Sequence, residues 1–504
     1  MSRPARPARL AAGRGRPVPS TGIETEAFER SEQLLQDPVL LLRRTETALV
    51  RADLAVPGVL SADDLRRLRH LLSFARLGVF APGAAAGRPG AADVDVTGPL
   101  RDFRARVVAE LAGPVRLTRE PRARLIRART ELGTLTAPLL EERQRLLDTG
   151  VCSAADLDAE VSGRALCLVL GGGAGAGHVY LGAIALLVES GMLPAYVLGT
   201  SIGSLYGGMF TRELPVDLDE LVRFAHGLTL GGVLSPPRSR RRHGLPGLFG
   251  LNLNATLGPM LTRPDGEPLR MRDAAIPFET VVAGVRPSAF ARLPSRFRHM
   301  EMSALAGRAP AGWRRGPALA SRMWQVGAFF DSRVVKPIVF GGDELTAGMR
   351  VVDAVGFSCA VPGVLHYEAA ARERAAFDRL LRERDVRALV DGGTASNVAV
   401  ELAWRRVQDG RLGTRNAVYL AFDCFHPQWD PRHLWLTPIT QAVQVQMVRN
   451  APFADWIRRF SPTLSVLDLV PGPERFDRAR GWGRAALEPD LPLLRALLRP
   501  TPWD

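Results

Sequence analysis

The stretch from residue 165 to residue 210 sets the narrowest limits on how this 504-residue chain folds. It is mostly apolar, with Glu189 and His178 its main polar interruptions apart from hydroxyl residues. Glycines nevertheless punctuate it at 171–173, 175, 177, 182, 191, 199, 203, 207 and 208, too densely for a membrane-spanning helix of about 20 residues. Five consecutive apolar residues, Leu166-Cys167-Leu168-Val169-Leu170, suit a strand buried on both faces. A helical stretch from Leu181 to Glu189 closes at Gly191. A second apolar run, Ala195-Tyr196-Val197-Leu198, leads into a turn and a helix over Ile202 to Arg212. Strand, glycine loop, helix, strand, turn and helix in that order predict an α/β fold, a parallel sheet covered on both faces.

Further strands are expected at Phe278–Val285, Ala388–Val390, Ala417–Phe422 and Leu464–Leu469. The charged Ala371–Asp385 stretch reads as a solvated surface helix. Ahead of residue 161 the pattern is helical instead. Ser31 to Leu35 opens one run, and Ser61-Ala62-Asp63-Asp64 forms an S-x-x-D cap before Leu65, Leu68 and Leu71. Pro138 to Leu147 is amphipathic at helical spacing, and a Gly/Pro/Ala-rich break falls at 82–90. The chain therefore divides into a basic tail (1–24), an accessory helical region (25–160), an α/β domain (161–475) and a C-terminal extension (476–504).

The formal charge of +14 is almost wholly arginine, Lys336 being the only lysine. Such a balance favours anionic surfaces. Arg238, Arg240, Arg241 and Arg242 stand beside Leu245, Leu248, Phe249 and Leu251, a pattern that fits peripheral contact with an anionic membrane. No nucleic-acid module and no zinc spacing is present, so nucleic acid is not an expected partner and no metal is expected. Cys152, Cys167, Cys359 and Cys424 lie far apart without a C-x-x-C pair, which fits a reducing compartment. The basic N-terminus lacks the apolar core of a secretory signal, and the expectation is a cytoplasmic protein, peripheral to membrane at most.

Chemistry concentrates in three glycine-flanked places. Gly199-Thr200-Ser201-Ile202-Gly203 is a G-x-S-x-G turn after a strand, which lifts a serine hydroxyl above the end of a sheet. Asp391-Gly392-Gly393 puts a carboxylate at the end of a second apolar run, a plausible base for that serine. Gly171 to His178 forms a loop whose backbone N–H groups converge on an anion: a phosphate, a pyrophosphate or an oxyanion. No Gly-Lys-Ser/Thr follows, against a P-loop, and no acid ends the next strand, against a dinucleotide site. With the G-x-S-x-G turn one helix and one strand later, the loop reads as an oxyanion hole and the whole as an acyl-transfer site. Ser201, Asp391 and His426 also stand in the order of an α/β-hydrolase triad, which is the alternative mechanism.

The order of glycine loop, G-T-S-I-G and D-G-G resembles the patatin-like phospholipase family. Leu181-Gly182-Ala183-Ile184 through Gly191, Ser358-Cys359-Ala360-Val361-Pro362-Gly363 and Asn397 extend the resemblance over about residues 163–430. It implies a three-layer α/β/α core, Ser201 as nucleophile and Asp391 as its sole base partner. It further implies oxyanion donors from Gly172, Gly173 and Gly175, a lipid ester as substrate, and no cofactor. The family usually carries glycine where Ala174 stands and a cation where Ala176 stands. Those departures frame the opposing reading, a lipid-binding protein with impaired turnover.

Overall fold

The computed structural model describes residues 37–85, 87, 92–236, 243–293, 327–428 and 436–503. The basic tail, the Ser31–Leu35 run and the arginines at 238–242 lie outside them. Helices α1 (Pro38–Ala55), α2 (Ala62–Arg76) and α3 (Pro121–Asp148) form most of the first region. Helix α2 begins at the S-x-x-D signal: Ser61 accepts the Asp64 N–H, and Asp64 reaches back to the Ser61 N–H. The stretch expected to start at Pro138 is instead the second half of α3, with the proline inside it. Leu125, Leu132, Leu135, Leu139 and Leu146 keep one buried face in phase through the proline, so packing overrides the local break.

The α/β part contains β1 (Ala165–Leu170), α4 (Tyr180–Glu189), β2 (Tyr196–Thr200), α5 (Ile202–Phe210), β3 (Phe278–Val285), β4 (Val335–Phe340) and α6 (Val351–Ser358). It continues with β5 (Ala388–Asp391), α7 (Val400–Gln408), β6 (Ala417–Asp423), α8 (Thr437–Asn450), β7 (Trp456–Arg459) and α9 (Pro473–Leu487). The sheet order is β5-β3-β2-β1-β6-β7, with β4 also paired to β3. Strands β3, β2, β1, β6 and β7 run parallel, while β4 and β5 run antiparallel to β3. Because strand side chains alternate, β1 feeds two cores. Leu166, Leu168 and Leu170 pack with α4, α5 and α9 on one face. Ala165, Cys167 and Val169 pack with α7 and α8 on the other, completing the α/β/α layering.

Four details differ from the expectations. No strand forms at Leu464–Leu469; the edge strand is β7, and Leu464 and Val466 sink into the core as a loop. Strand β4 was hidden by Lys336 and Pro337, tolerated because among the described residues β4 pairs on one side only. The boundary at 476 falls inside α9, whose Phe476, Ala479 and Leu487 belong to the main core, while Leu493, Leu497 and Trp503 further on pack against the helical region. The Ala371–Asp385 stretch is likewise amphipathic rather than wholly solvated, since Phe377 and Leu380 are fully buried.

The helical region caps the end of the sheet at which β1, β6 and β7 begin. There Glu46 of α1 accepts from Arg69, Arg76 and Arg164, whose side chains are at most 10% exposed, and the three guanidiniums hold its carboxyl well below the usual range against the cost of burial. Arg43 pairs with Asp455 at 3.2 Å, and Asn416 bonds Ser73 and the Val161 carbonyl. Among the described residues no helix is long and apolar enough to cross a membrane.

Candidate active site

The opposite end of the sheet holds the motifs. Residues 280 and 281 of β3 pair with both β2 and β4, so β2 and β4 lie on opposite edges of β3. Residues 282 to 285 pair with both β5 and β4, so β5 shares its edge with β2. Strand β2 thus ends at Thr200 opposite Val281, and the antiparallel β5 ends at Asp391 opposite Val282. The two motifs meet head-on in one lane of the sheet. This is possible only because β5 runs against β2.

Ser201 follows Thr200 with φ 52 and ψ −124, a left-handed conformation that costs an L-residue roughly 1–3 kcal/mol. The elbow is braced on both sides. The Ser201 N–H donates to Ser358 Oγ at 2.8 Å, and that hydroxyl donates to the Val281 carbonyl at 2.6 Å. The Ser201 carbonyl accepts from Ser204 Oγ at 2.6 Å. Gly203 must be glycine, because a Cβ there would lie 2.2 Å from the Leu170 oxygen; the Gly199 carbonyl accepts from Thr280 Oγ1.

Asp391 is 6% exposed. Its Oδ1 accepts from the Gly393 N–H at 2.7 Å, and Gly392 passes so close to Val281 that a Cβ would clash with its carbonyl. Burial pushes the carboxyl up to about 7, and hydrogen bonding from the Ser201 hydroxyl and Gly393 N–H opposes the shift. Oδ2 lacks a well-aligned partner among the described residues, which leaves it open to accept a proton. Cys359, next to Ser358, also sits beside Ser201, Ser204 and Asp391, with burial pushing its thiol up.

The glycine loop is tied to distant parts of the chain. The Gly172 N–H is committed to the Asn397 carbonyl at 3.3 Å and the Gly175 N–H to the Val466 carbonyl at 3.2 Å. Among the described residues the Gly173 and Ala174 N–H groups bond nothing, and both residues are half-exposed. Ala174 has φ 47, the conformation for which glycine is suited at that position. Ala176 is buried.

The remaining sequence candidates separate from this centre. His426 bonds the Phe460 and Pro427 carbonyls and makes no hydrogen bond to Ser201 or Asp391. His178 sits between Tyr206 Oη and the Asp468 carbonyl, its pKa lowered to about 4 by burial, as a neutral packing residue. Leu245 is buried in the core, whereas Leu248, Phe249 and Leu251 are half-buried, the last two in a small three-stranded sheet. A cavity of about 1270 Å³ opens at the other end of β3, by Pro277 and Arg411, away from Ser201.

Sequence reasoning missed the bracing by Ser358 and a clamp on the Asp391 loop from α8, whose Gln446 bonds Asn397 and Thr394. A Gln446/Asn450 pair at helical spacing was the only signal for the clamp.

Comparison with known proteins places short segments of the chain beside fungal lysophospholipases. The chain is 47% identical over 53 residues to "Lysophospholipase NTE1" of Yarrowia lipolytica, covering 10% of this chain and 4% of that protein. It is 48% identical over 59 residues to the Mycosarcoma maydis protein of the same name, covering 12% and 3%. With the Emericella nidulans protein it shares 43% over 60 residues, covering 12% and 4%. These alignments thus span only a few per cent of the relatives' length. The family model of patatin-like phospholipases matches residues 168–404, from β1 through the glycine loop, elbow and β5 into α7, and the chain accordingly carries a patatin-like phospholipase domain.

Proposed function

We propose that the protein is a lipid acyl hydrolase in which Ser201 is the nucleophile and Asp391 its base. The observation that carries this reading is the head-on meeting of β2 and β5, which delivers a serine in a strained elbow to a buried carboxylate with an open oxygen. Asp391 takes the hydroxyl proton as Ser201 Oγ attacks the ester carbonyl, and returns it to the departing alcohol. The acyl-serine is then cleaved by water, whose proton passes to Asp391 and back to Ser201 as the fatty acid leaves. The Gly173 and Ala174 N–H groups are the proposed oxyanion donors, each worth about 3 kcal/mol of barrier if well aimed. Family membership implies a lipid ester substrate. The names of the fungal relatives make a monoacyl phospholipid the first substrate to try.

A fluorophosphonate probe and a panel of phospholipids, lysophospholipids and triacylglycerols test this. Labelling and hydrolysis are expected in the wild type, with Ser201→Ala losing both and Asp391→Asn losing hydrolysis. Folded wild-type protein that binds lipid vesicles but neither labels nor hydrolyses would support the lipid-binding reading, in which the strained Ala174 disables the oxyanion loop.

A further inference from the structure

Helix α8 lies beyond the matched residues 168–404, yet Gln446 and, through Ser396 Oγ, Asn450 reach the loop that follows Asp391. Gln446 is 9% exposed, and both ends of its amide are used. Oε1 accepts the Asn397 N–H at 2.9 Å, and Nε2 donates to the Thr394 carbonyl at 2.9 Å. The segment so gripped follows directly from the aspartate: Thr394 Oγ1 donates to the Asp391 carbonyl at 2.7 Å.

From Asn397 the connection continues to the oxyanion loop. The Asn397 carbonyl accepts the Gly172 N–H at 3.3 Å, and its Nδ2 donates to the Gly172 carbonyl at 3.4 Å. Gly172 in turn lies against the nucleophile, since a Cβ built on it would sit 3.0 Å from Ser201 Cβ. One helical turn on, Asn450 shares the face. Its Oδ1 accepts the Glu401 N–H at 3.0 Å, an otherwise unpartnered donor in the first turn of α7, and its Nδ2 donates to the Gln446 carbonyl at 3.0 Å.

We infer that Gln446 is a positioning residue that sets the base loop and the oxyanion loop in register with each other and with Ser201. The inference rests on the acyl-hydrolase reading above. A planar amide that bonds a carbonyl and an N–H three residues apart fixes that segment's orientation, not only its presence. Small misplacement of reacting groups is costly, because preorganised donors act only over a narrow range of distance and angle.

The test is Gln446→Met, which matches the side chain in length but makes neither bond. Hydrolysis is normalised to sites titrated by a fluorophosphonate at completion. The expected result is a fall of about tenfold or more in kcat per titrated site, with KM changed by less than about threefold. Gln446→Glu keeps an acceptor for Asn397 but loses the donor to Thr394, so its kcat should lie between wild type and Gln446→Met. A purely structural role would lower the number of titratable sites or the unfolding midpoint while leaving kcat per site unchanged, and that outcome overturns the inference. If Gln446→Met does not fold, Gln446→Glu is judged by the same criterion. Ser201→Ala in parallel separates the two readings. Serine-dependent hydrolysis with normal kcat in the Gln446 variants sinks only the positioning role. Absence of serine-dependent hydrolysis in the wild type sinks the hydrolase reading and this inference with it.

Discussion

Replacing Asp391 by asparagine should abolish turnover and at the same time stabilise the fold, by an amount that grows with pH. The carboxyl is buried, and its pKa rises from 3.8 to about 7 on folding. Between those values the native state holds a proton that the unfolded chain has released, so stability falls as pH rises through the window. Ionised Asp391 therefore costs the native state about 4 kcal/mol once pH is above both values, and about 1–2 kcal/mol near pH 5. Asparagine stays neutral throughout, and its amide oxygen can still accept the Gly393 N–H that Asp391 accepts at 2.7 Å. Unfolding by denaturant, followed by tryptophan fluorescence at about pH 5 and about pH 8.5, should show Asp391→Asn more stable than wild type at both, with the gap widening by about 2–3 kcal/mol. A gap that does not change with pH, or a variant less stable than wild type at the higher pH, would refute the assignment of a strained, protonation-linked carboxyl. Such a carboxyl, raised by burial beside a serine, is the kind of stability cost that active sites carry.

The same carboxyl predicts the rate profile: kcat/KM for ester hydrolysis should rise with pH through an acidic limb centred near 7, because only ionised Asp391 accepts the proton. A limb centred near 4 would show a solvated base instead. Gly203→Ala should fail to give folded protein, or lose more than about 3 kcal/mol, since the new methyl would meet the Leu170 and Gly171 carbonyls of β1 and its loop, which cannot retreat. Gly191→Asn, at φ 72 with open space around it, is the tolerated control in the same thermal assay. Glu46→Gln should destabilise the joint between helical region and sheet by about 3–5 kcal/mol, read by denaturant midpoint, because three buried guanidiniums lose their counter-charge. His426→Ala should retain hydrolysis within a few-fold, and its loss in a folded variant would revive the three-residue mechanism.

Much of the catalytic layer was legible because it is written in local periodicity. The run 166–170, the glycine punctuation and the second run before Ser201 predict β1, α4, β2 and α5 to within a few residues. The Ser61 cap marked the start of α2 for the same reason, since its hydrogen bonds span only three residues. Strand β4 was illegible because Lys336 and Pro337 break an apolar pattern that a one-sided edge strand does not need. The Leu464–Leu469 run misled because burial alone does not make a strand, and these residues sink into the core without a ladder.

The sequence by itself determined which groups are present and in what order: a glycine loop, a serine elbow and an aspartate at a strand end, each a local motif shaped by backbone sterics. It could not determine which N–H groups of the loop stay free, since the acceptors that engage Gly172 and Gly175 come from Asn397 and Val466, far away in the chain. Nor could it show that β2 and β5 share one edge of β3, a matter of strand pairing rather than of composition. The grip of Gln446 on Asn397, 49 residues away, is of the same kind. Only the tertiary structure decides such partnerships, because hydrogen-bond geometry between distant residues follows from the order and direction in which the strands pack.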